Sequence, residues 1–391
     1  MKIDQKFEIG NVITISIAHL AHDIYASFLA PILPLLIEKL GITIFLAGLL
    51  DVIRKIPALA NPFIGLIADR VSVRYFIILA PSITAVSMSL IGAAPHYIVL
   101  SVLIFIAGIG STLFHVPAPV MVKHVSHNKI GKGMSYYMLG GELARTLGPL
   151  TILGAVSLWG LEGTYRLIPF GLVASVILYF RLHRIEIKKD FERKKTGVRK
   201  TFVGLIPFFI SIGGFIFCRA AMKSALTIYL PTFLTSRGAT LWMAGASLSV
   251  LQFAGAGGTF FAGIISDKIG RKNSLLVIAI MNPILMWLFV KFNGVLIIPI
   301  LIVTGFFLFA SGPVMLALVH DHDTEHMSFI NGIYMTISFI LGSIMVLFVG
   351  LAADKFGLDL TYKIAAFVAL FSIPFVLSLK PDNKTKTEKL L

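Results

Sequence analysis

GLIADRVSVR at residues 65–74 and GIISDKIGRK at residues 263–272 place one Gly-x-x-x-Asp-Arg/Lys device twice in a single, very hydrophobic chain. Gly65 and Gly263 lie about half the chain apart, which points to two repeated halves and so to a two-lobed membrane transporter.

Composition makes the surroundings of both copies apolar. Of 391 residues, 57% are hydrophobic and only 14% charged, and the mean hydropathy is +0.90. A water-soluble domain of this length is excluded, and a polytopic helical membrane protein is expected. Apolar stretches long enough to cross a bilayer occur at 11–37, 42–68, 75–93, 97–118, 133–157, 165–183, 202–233, 240–266, 274–291, 294–319, 329–353 and 362–379. They are too long for barrel strands and lack alternation. A helix, by contrast, satisfies its own backbone hydrogen bonds in lipid. The fold class read from the chain is all-α, with twelve transmembrane helices.

The 34 basic and 19 acidic residues leave a formal charge of +15. In a soluble protein that balance suggests nucleic acid; here its distribution among the loops matters more. Arg70 and Arg74, then Lys123, Lys129 and Lys132, then the 184–201 connection, then Lys268, Arg271 and Lys272 all fall on one side of the predicted spans. By the positive-inside rule both termini and that connection are cytoplasmic. The turn from His320 to Met327, HDHDTEHM, has no Lys or Arg; its histidines have metal-ligand spacing, but a polar solvated turn explains them, and no metal or cofactor is expected. The first apolar run continues through Pro31 and Pro34 without a small-residue cleavage site, so it is expected to remain as a span. The single Cys218 is read as packing.

The duplication extends beyond the opening motif. Pro34 and Gly48 correspond to Pro231 and Gly245, Asp69 to Asp267, APVMVKHVSH from Ala118 to GPVMLALVHD from Gly312, and GTYRL from Gly163 to LTYKI from Leu360. The expected organisation is a six-helix bundle over 1–183, a basic cytoplasmic linker over 184–201, and a second six-helix bundle with a short tail over 202–391.

Over its whole length the chain resembles the major facilitator superfamily of transporters. That superfamily's turn between the second and third helices is matched by Gly65, Asp69, Arg70 and Arg74, with Ser72 and Val73 as departures. Gly263, Asp267, Lys268, Gly270, Arg271 and Lys272 match it nearly completely. MLGGELARTLGPL, with Gly140, Gly141, Gly148 and Pro149, is similar to the antiporter motif of the fifth helix. Within the superfamily the chain is most similar to the fosmidomycin-resistance family of drug efflux proteins, through HLAHDIYASFLAPILPLL from His19, GIGSTLFHVPAP from Gly108, GGELARTLGP from Gly140 and GLAADKFGLDLTYKIAAF from Gly350. His22 stands where that family commonly has Asn, and Val116-Pro117-Ala118 follow His115 where Pro and Glu would be expected.

Ionisable residues inside the spans are the candidate working parts, because each costs about 2.5 to 3.5 kcal/mol at mid-helix. They are His19, His22, Asp23, Asp51, Arg54, Lys55, His115, Glu142, Arg145, Arg219 and Lys223. Helical spacing places His19 with Asp23, Asp51 with Lys55, and Arg219 with Lys223 on common faces. Five cations against three carboxylates lean positive, which suits an anionic or zwitterionic substrate. Arg145, Arg219, Lys223, Arg54 and Tyr25 are the candidates for substrate contact. His19, His22, Asp23, Glu142, His115 and Asp51 are the candidates for proton handling. For Asp51 with its cations and for Glu142 with Arg145, simple mutual neutralisation remains a second reading. Gly65, Asp69, Arg70, Arg74, Gly263, Asp267, Lys268 and Arg271 read as gate parts, or alternatively as helix-end caps.

The function expected is proton-coupled efflux of a small anionic or zwitterionic compound by alternating access, with uptake or exchange of an organic anion as the alternative. The expected partners are the substrate, protons and the bilayer, without nucleic acid, and the expected functional unit is a monomer. No nucleophile elbow, phosphate loop, HExxH pair or CxxC set suggests an enzyme, and no soluble output domain suggests a sensor.

Overall fold

A computed structural model of the chain describes residues 7–61, 74–183, 203–321 and 327–379. Every regular element among them is helical. The helices are α1 (Ile9–Ala26), α2 (Leu29–Leu40), α3 (Ile44–Lys55), α4 (Arg74–Leu90), α5 (Tyr97–His115), α6 (Ala118–Ser126), α7 (Ile130–Trp159) and α8 (Ile168–Leu182). They continue as α9 (Ile206–Thr227), α10 (Leu230–Ser236), α11 (Leu241–Ile269), α12 (Arg271–Lys291), α13 (Ile297–His320), α14 (Met327–Leu370) and α15 (Ser372–Leu377).

Nine stretches among the described residues are long and apolar enough to cross a membrane, and the last of them, Ile333–Leu377, spans the left-handed Gly357 at φ 76°. That break separates the two last expected spans. The charged α7 and the shorter α3 account for the fifth and the second. Each of the twelve expected segments thus overlaps helix among the described residues, the second only as far as residue 61.

Compact packing divides the chain into two units. The first comprises Met1–Ile42, Leu49–Phe191 and Leu234–Ser249; the second comprises Thr43–Gly48, Glu192–Phe233 and Val250–Leu391. Most of each unit is one sequence half, with two short pieces exchanged. The core of the first unit gathers Val12, Ile15, Ile77, Phe114, Met121 and Tyr137. That of the second gathers Phe209, Phe215, Leu275, Val314, Met315 and Ile330. Large apolar side chains such as Ile98, Phe180, Phe253 and Phe260 point outward, as a lipid-facing surface requires.

Glycines set the closest helix crossings, and the repeat places two of them alike. A Cβ at Gly108 would collide with the carbonyl oxygen of Arg54, and one at Gly305 with that of Leu251; both pairs are related by the offset of 197 that relates Gly48 to Gly245. Small residues let the backbones approach.

Gly108→Ala and Gly305→Ala should each destabilise the protein by about 1 to 3 kcal/mol, because a backbone carbonyl cannot move aside as a side chain would. Gly154→Ala, where nothing lies within 4 Å, should be neutral or stabilising. Thermal unfolding of the purified protein in detergent reads the contrast, and equal unfolding temperatures for all three would refute it.

Candidate functional site

The first unit brings four of the predicted ionisable residues, His19, His22, Asp23 and His115, into one neighbourhood, and a row of small residues makes that possible. On α7, Gly140 faces the carbonyl of Ser16, Gly141 faces the imidazole of His19, and Gly148 lies where a Cβ would be 2.6 Å from Ser27 Cβ and 2.8 Å from the Ile24 carbonyl. The antiporter-motif glycines are therefore the surface on which α1 lies; Pro149 follows them within α7. At that distance the His19 ring stacks on Tyr137 with centroids 4.1 Å apart.

Asp23 is the centre of the cluster. His19 Nε2 lies 3.2 Å from its Oδ2, and His115 Nε2 3.2 Å from its Oδ1, with His22 Nε2 farther off at 3.9 Å. Asp23 is 9% exposed and His22 fully buried, while the His115 side chain is 39% exposed and gives the cluster its open side. Phe114 stacks on His22 at 4.8 Å, and Thr84 Oγ1 lies 3.2 Å from His22 Nδ1. Asp23 Oδ1 and His22 Nε2 are buried without a hydrogen bond of ordinary geometry.

The tautomer of His19 follows from its other nitrogen. His19 Nδ1 is 2.8 Å from the carbonyl oxygen of Tyr137, which can only accept, so Nδ1 carries a hydrogen. A neutral His19 then turns the lone pair of Nε2 toward a carboxylate oxygen, and two acceptors at 3.2 Å repel. A positive species must lie between them. A proton meets that demand, as imidazolium or as carboxylic acid. Among the described residues, His19, Asp23 and His115 are also the one group whose ligand atoms converge, within 4.8 Å, closely enough to hold a metal ion.

The other candidates differ in how well they are satisfied. Asp51 is 3% exposed, with Oδ1 2.8 Å from Arg54 Nη2 and Oδ2 2.6 Å from Lys55 Nζ. Arg54 also donates to the Ala26 carbonyl at 3.1 Å. Both oxygens of Asp51 thus face cations, which supports the neutralisation reading for this trio. Glu142 is buried and paired with Arg145, whose Nε has no partner; the Arg145 side chain is 39% exposed. Tyr25 donates its hydroxyl to the Leu167 carbonyl at 2.8 Å and is buried.

In the second unit Arg219 is buried, donates Nη2 to the Leu308 carbonyl at 2.5 Å and leaves Nε without a partner. Its guanidinium lies over Phe215, and the Lys223 ammonium lies over Phe309, 5.9 Å from the ring centroid. In the second Gly-x-x-x-Asp copy Asp267 is paired with Arg271. Arg271 is the hub, 2.5 Å from Asp267 Oδ1, 3.3 Å from Asp321 Oδ2 and 2.5 Å from Ser266 Oγ. Lys268 and Gly263 sit on the same helix end, α11. Gly65, Asp69 and Arg70 lie outside the described residues, as do the linker 184–201 and His322 and His326; Arg74 opens α4 over the Tyr75 ring.

Sequence reasoning missed Tyr137, Thr84 and Phe114, which orient the histidines. A neutral side chain inside a span carries no cost that would draw attention to it, and the Tyr137 contribution is partly a backbone carbonyl.

The two buried carboxylates of α1 and α3 should therefore respond oppositely to neutralisation. Asp51→Asn strands two cations and should lower the unfolding temperature, with a loss of about 2 kcal/mol after allowing for their partial exposure. Adding Lys55→Met should recover part of it. Asp23→Asn leaves behind only imidazoles, which can stay neutral, and should cost little or stabilise. Equal losses for Asp51→Asn and Asp23→Asn would contradict this assignment.

Comparison with known proteins identifies the family. The family model described as Major Facilitator Superfamily matches residues 15–346. The chain is 25% identical over 388 residues to the Fosmidomycin resistance protein of Escherichia coli (strain K12), covering 95% of this chain and 93% of that protein. It is 24% identical over 394 residues to the uncharacterized MFS-type transporter YfnC of Bacillus subtilis (strain 168), covering 96% and 94%. Among solved structures, a bacterial homolog of the human lysosomal transporter Spinster, in an inward-facing and unoccupied conformation, superposes with a TM-score of 0.76 at 14% identity over 96% of both chains. A D-xylose-proton symporter does so with a TM-score of 0.76 at 13% identity, over 97% of this chain and 99% of that one. A family match across most of the chain, on a helical fold shared with solved transporters, makes this chain a member of the Major Facilitator Superfamily and a multi-pass membrane transporter.

Proposed function

We propose that the protein is a proton-coupled exporter of a small anionic or zwitterionic compound, working by alternating access. The observation that carries this reading is the His19–Asp23 contact, where two acceptors 3.2 Å apart require one positive species between them. A proton held there can be exchanged through the exposed edge of His115. Histidine is suited to that role because either ring nitrogen can take up or release a proton. Glu142, one helix away and beside Gly141, is the second proton-handling carboxylate, and Arg145 is its counter-ion when substrate is absent.

Substrate charge is read from the cations. Arg145 in the first unit and Arg219 and Lys223 in the second are each candidates for contact with a negative group, and the Nε atoms of Arg145 and Arg219 are donors without a partner. The Escherichia coli relative's name supports a phosphonate as the first compound to test. Asp267 and Arg271, with the first-copy residues Asp69 and Arg70, act as gate pairs at the cytoplasmic ends of the helices, and both termini are cytoplasmic. The two sequence halves, 1–183 and 202–391, are the functional repeats, and one copy of the chain suffices in the bacterial inner membrane.

Proteoliposomes loaded with fosmidomycin and given an imposed pH gradient test the proposal. Gradient-driven flux should be lost in Asp23→Asn and strongly reduced in Glu142→Gln, while exchange of fosmidomycin without a gradient should survive in Asp23→Asn. Full gradient-driven flux in both variants would refute the coupling assignment. In a thermal-shift series, phosphonates and carboxylates should raise the unfolding temperature and cationic drugs should not. The reverse order would overturn the substrate class.

A further inference from the structure

The first turn of α3 is held by a residue 310 positions away in sequence. Asp354, in the middle of α14, accepts the Ile44 N–H on Oδ1 at 2.8 Å and the Phe45 N–H on Oδ2 at 2.9 Å. Thr43 caps the next donor, its Oγ1 accepting the Leu46 N–H at 3.2 Å, and its carbonyl accepts the first regular helix bond from the Ala47 N–H at 3.0 Å. Three of the donors that a helix start leaves open, the Ile44, Phe45 and Leu46 N–H groups, are thereby engaged, two of them by a negative charge placed at the positive end of the helix dipole.

The packing around this contact is fitted to it. Tyr229 is fully buried and donates to the Val346 carbonyl at 3.0 Å. A Cβ at Gly48 would collide with the Tyr229 hydroxyl, and one at Gly350 would lie 2.8 Å from Phe45 Cα and 2.9 Å from the same hydroxyl. Two glycines and one tyrosine thus allow α3 to seat against α14. The seated piece, Thr43–Gly48, and Asp354 both belong to the second unit. Yet Asp354 itself is exposed, so water can replace the two N–H donors when the turn departs.

We infer that Asp354 is a releasable latch of the transport cycle, holding the first turn of α3 in the conformation seen here and letting it go once per turnover. The inference rests on the alternating-access reading above. It also assigns Tyr229, Gly48 and Gly350 as the seat of the latch. Asp354 acts by positioning α3 and touches no substrate.

Thiol labelling tests this without substrate or proton gradient, so its failure would leave the proton-coupling proposal standing, and a failed transport assay would not decide it. Val346 is 1% exposed beneath the seated turn, and the native Cys218, 6% exposed in α9, is a buried control. Val346→Cys is placed in a Cys218→Ser background, and its maleimide labelling rate in detergent is compared with that of Cys218 in the otherwise unaltered chain.

Asp354→Ala should speed labelling at position 346 by roughly ten-fold, since two hydrogen bonds to a charged acceptor are lost. Asp354→Asn should fall between, and Asp354→Glu should stay near the parent rate. Cys218 should be unaffected. Gly48→Ala should release the latch with Asp354 intact, and adding Tyr229→Phe, which removes the colliding hydroxyl, should slow labelling again. Unchanged rates at 346 in both Asp354→Ala and Gly48→Ala would overturn the latch. So would equal acceleration at 346 and at Cys218, which would make Asp354 a structural cap alone.

Discussion

The hydrogen bond from His19 Nδ1 to the Tyr137 carbonyl is the contact on which the first unit's chemistry depends. It exists because Gly140 and Gly141 let α7 lie directly against α1. It fixes which nitrogen of His19 faces Asp23, and so it dictates that the pair holds one exchangeable positive species. Any side chain larger than hydrogen at position 141 would press on the imidazole and change that geometry. Helix packing and proton chemistry are here a single constraint.

The repeat preserved geometry and abandoned chemistry. The crossing of Gly108 on Arg54 has its counterpart in Gly305 on Leu251, where the charge is gone. At the same offset His22 corresponds to Arg219, and Asp23 to Ala220. Offset by the later alignment, His115 corresponds to Phe309, the ring beneath Lys223. Among the described spans, then, the titratable cluster belongs to the first unit, and the second contributes fixed cations over aromatic rings. This division suits a transporter in which one half handles protons and the other a negative group.

Two buried carboxylates, Asp23 and Asp51, looked alike in the sequence, since each stands four residues from an ionisable partner inside a span. Packing separates them. Asp51 meets an arginine and a lysine, both fixed cations, whereas Asp23 meets three imidazoles, which are cations only when protonated. Asp354 drew notice only as part of a motif, because a lone acidic residue near a predicted helix end carries no local signal of a distant backbone partner.

The amino-acid sequence by itself determined the class and the plan. Hydropathy alone forces helices across a membrane, since no other backbone arrangement in these segments satisfies its own hydrogen bonds there. Duplicated motifs disclose the halves, and the cost of charge in lipid singles out the residues worth examining. Only the tertiary structure decided which of those charges are neutralised, which nitrogen of His19 carries hydrogen, and that Arg271 rather than Lys268 pairs with Asp267. It also brought Asp354 to the start of α3. These are matters of distance between helices remote in sequence, and they depend on glycine-sized clearances that no helical periodicity encodes.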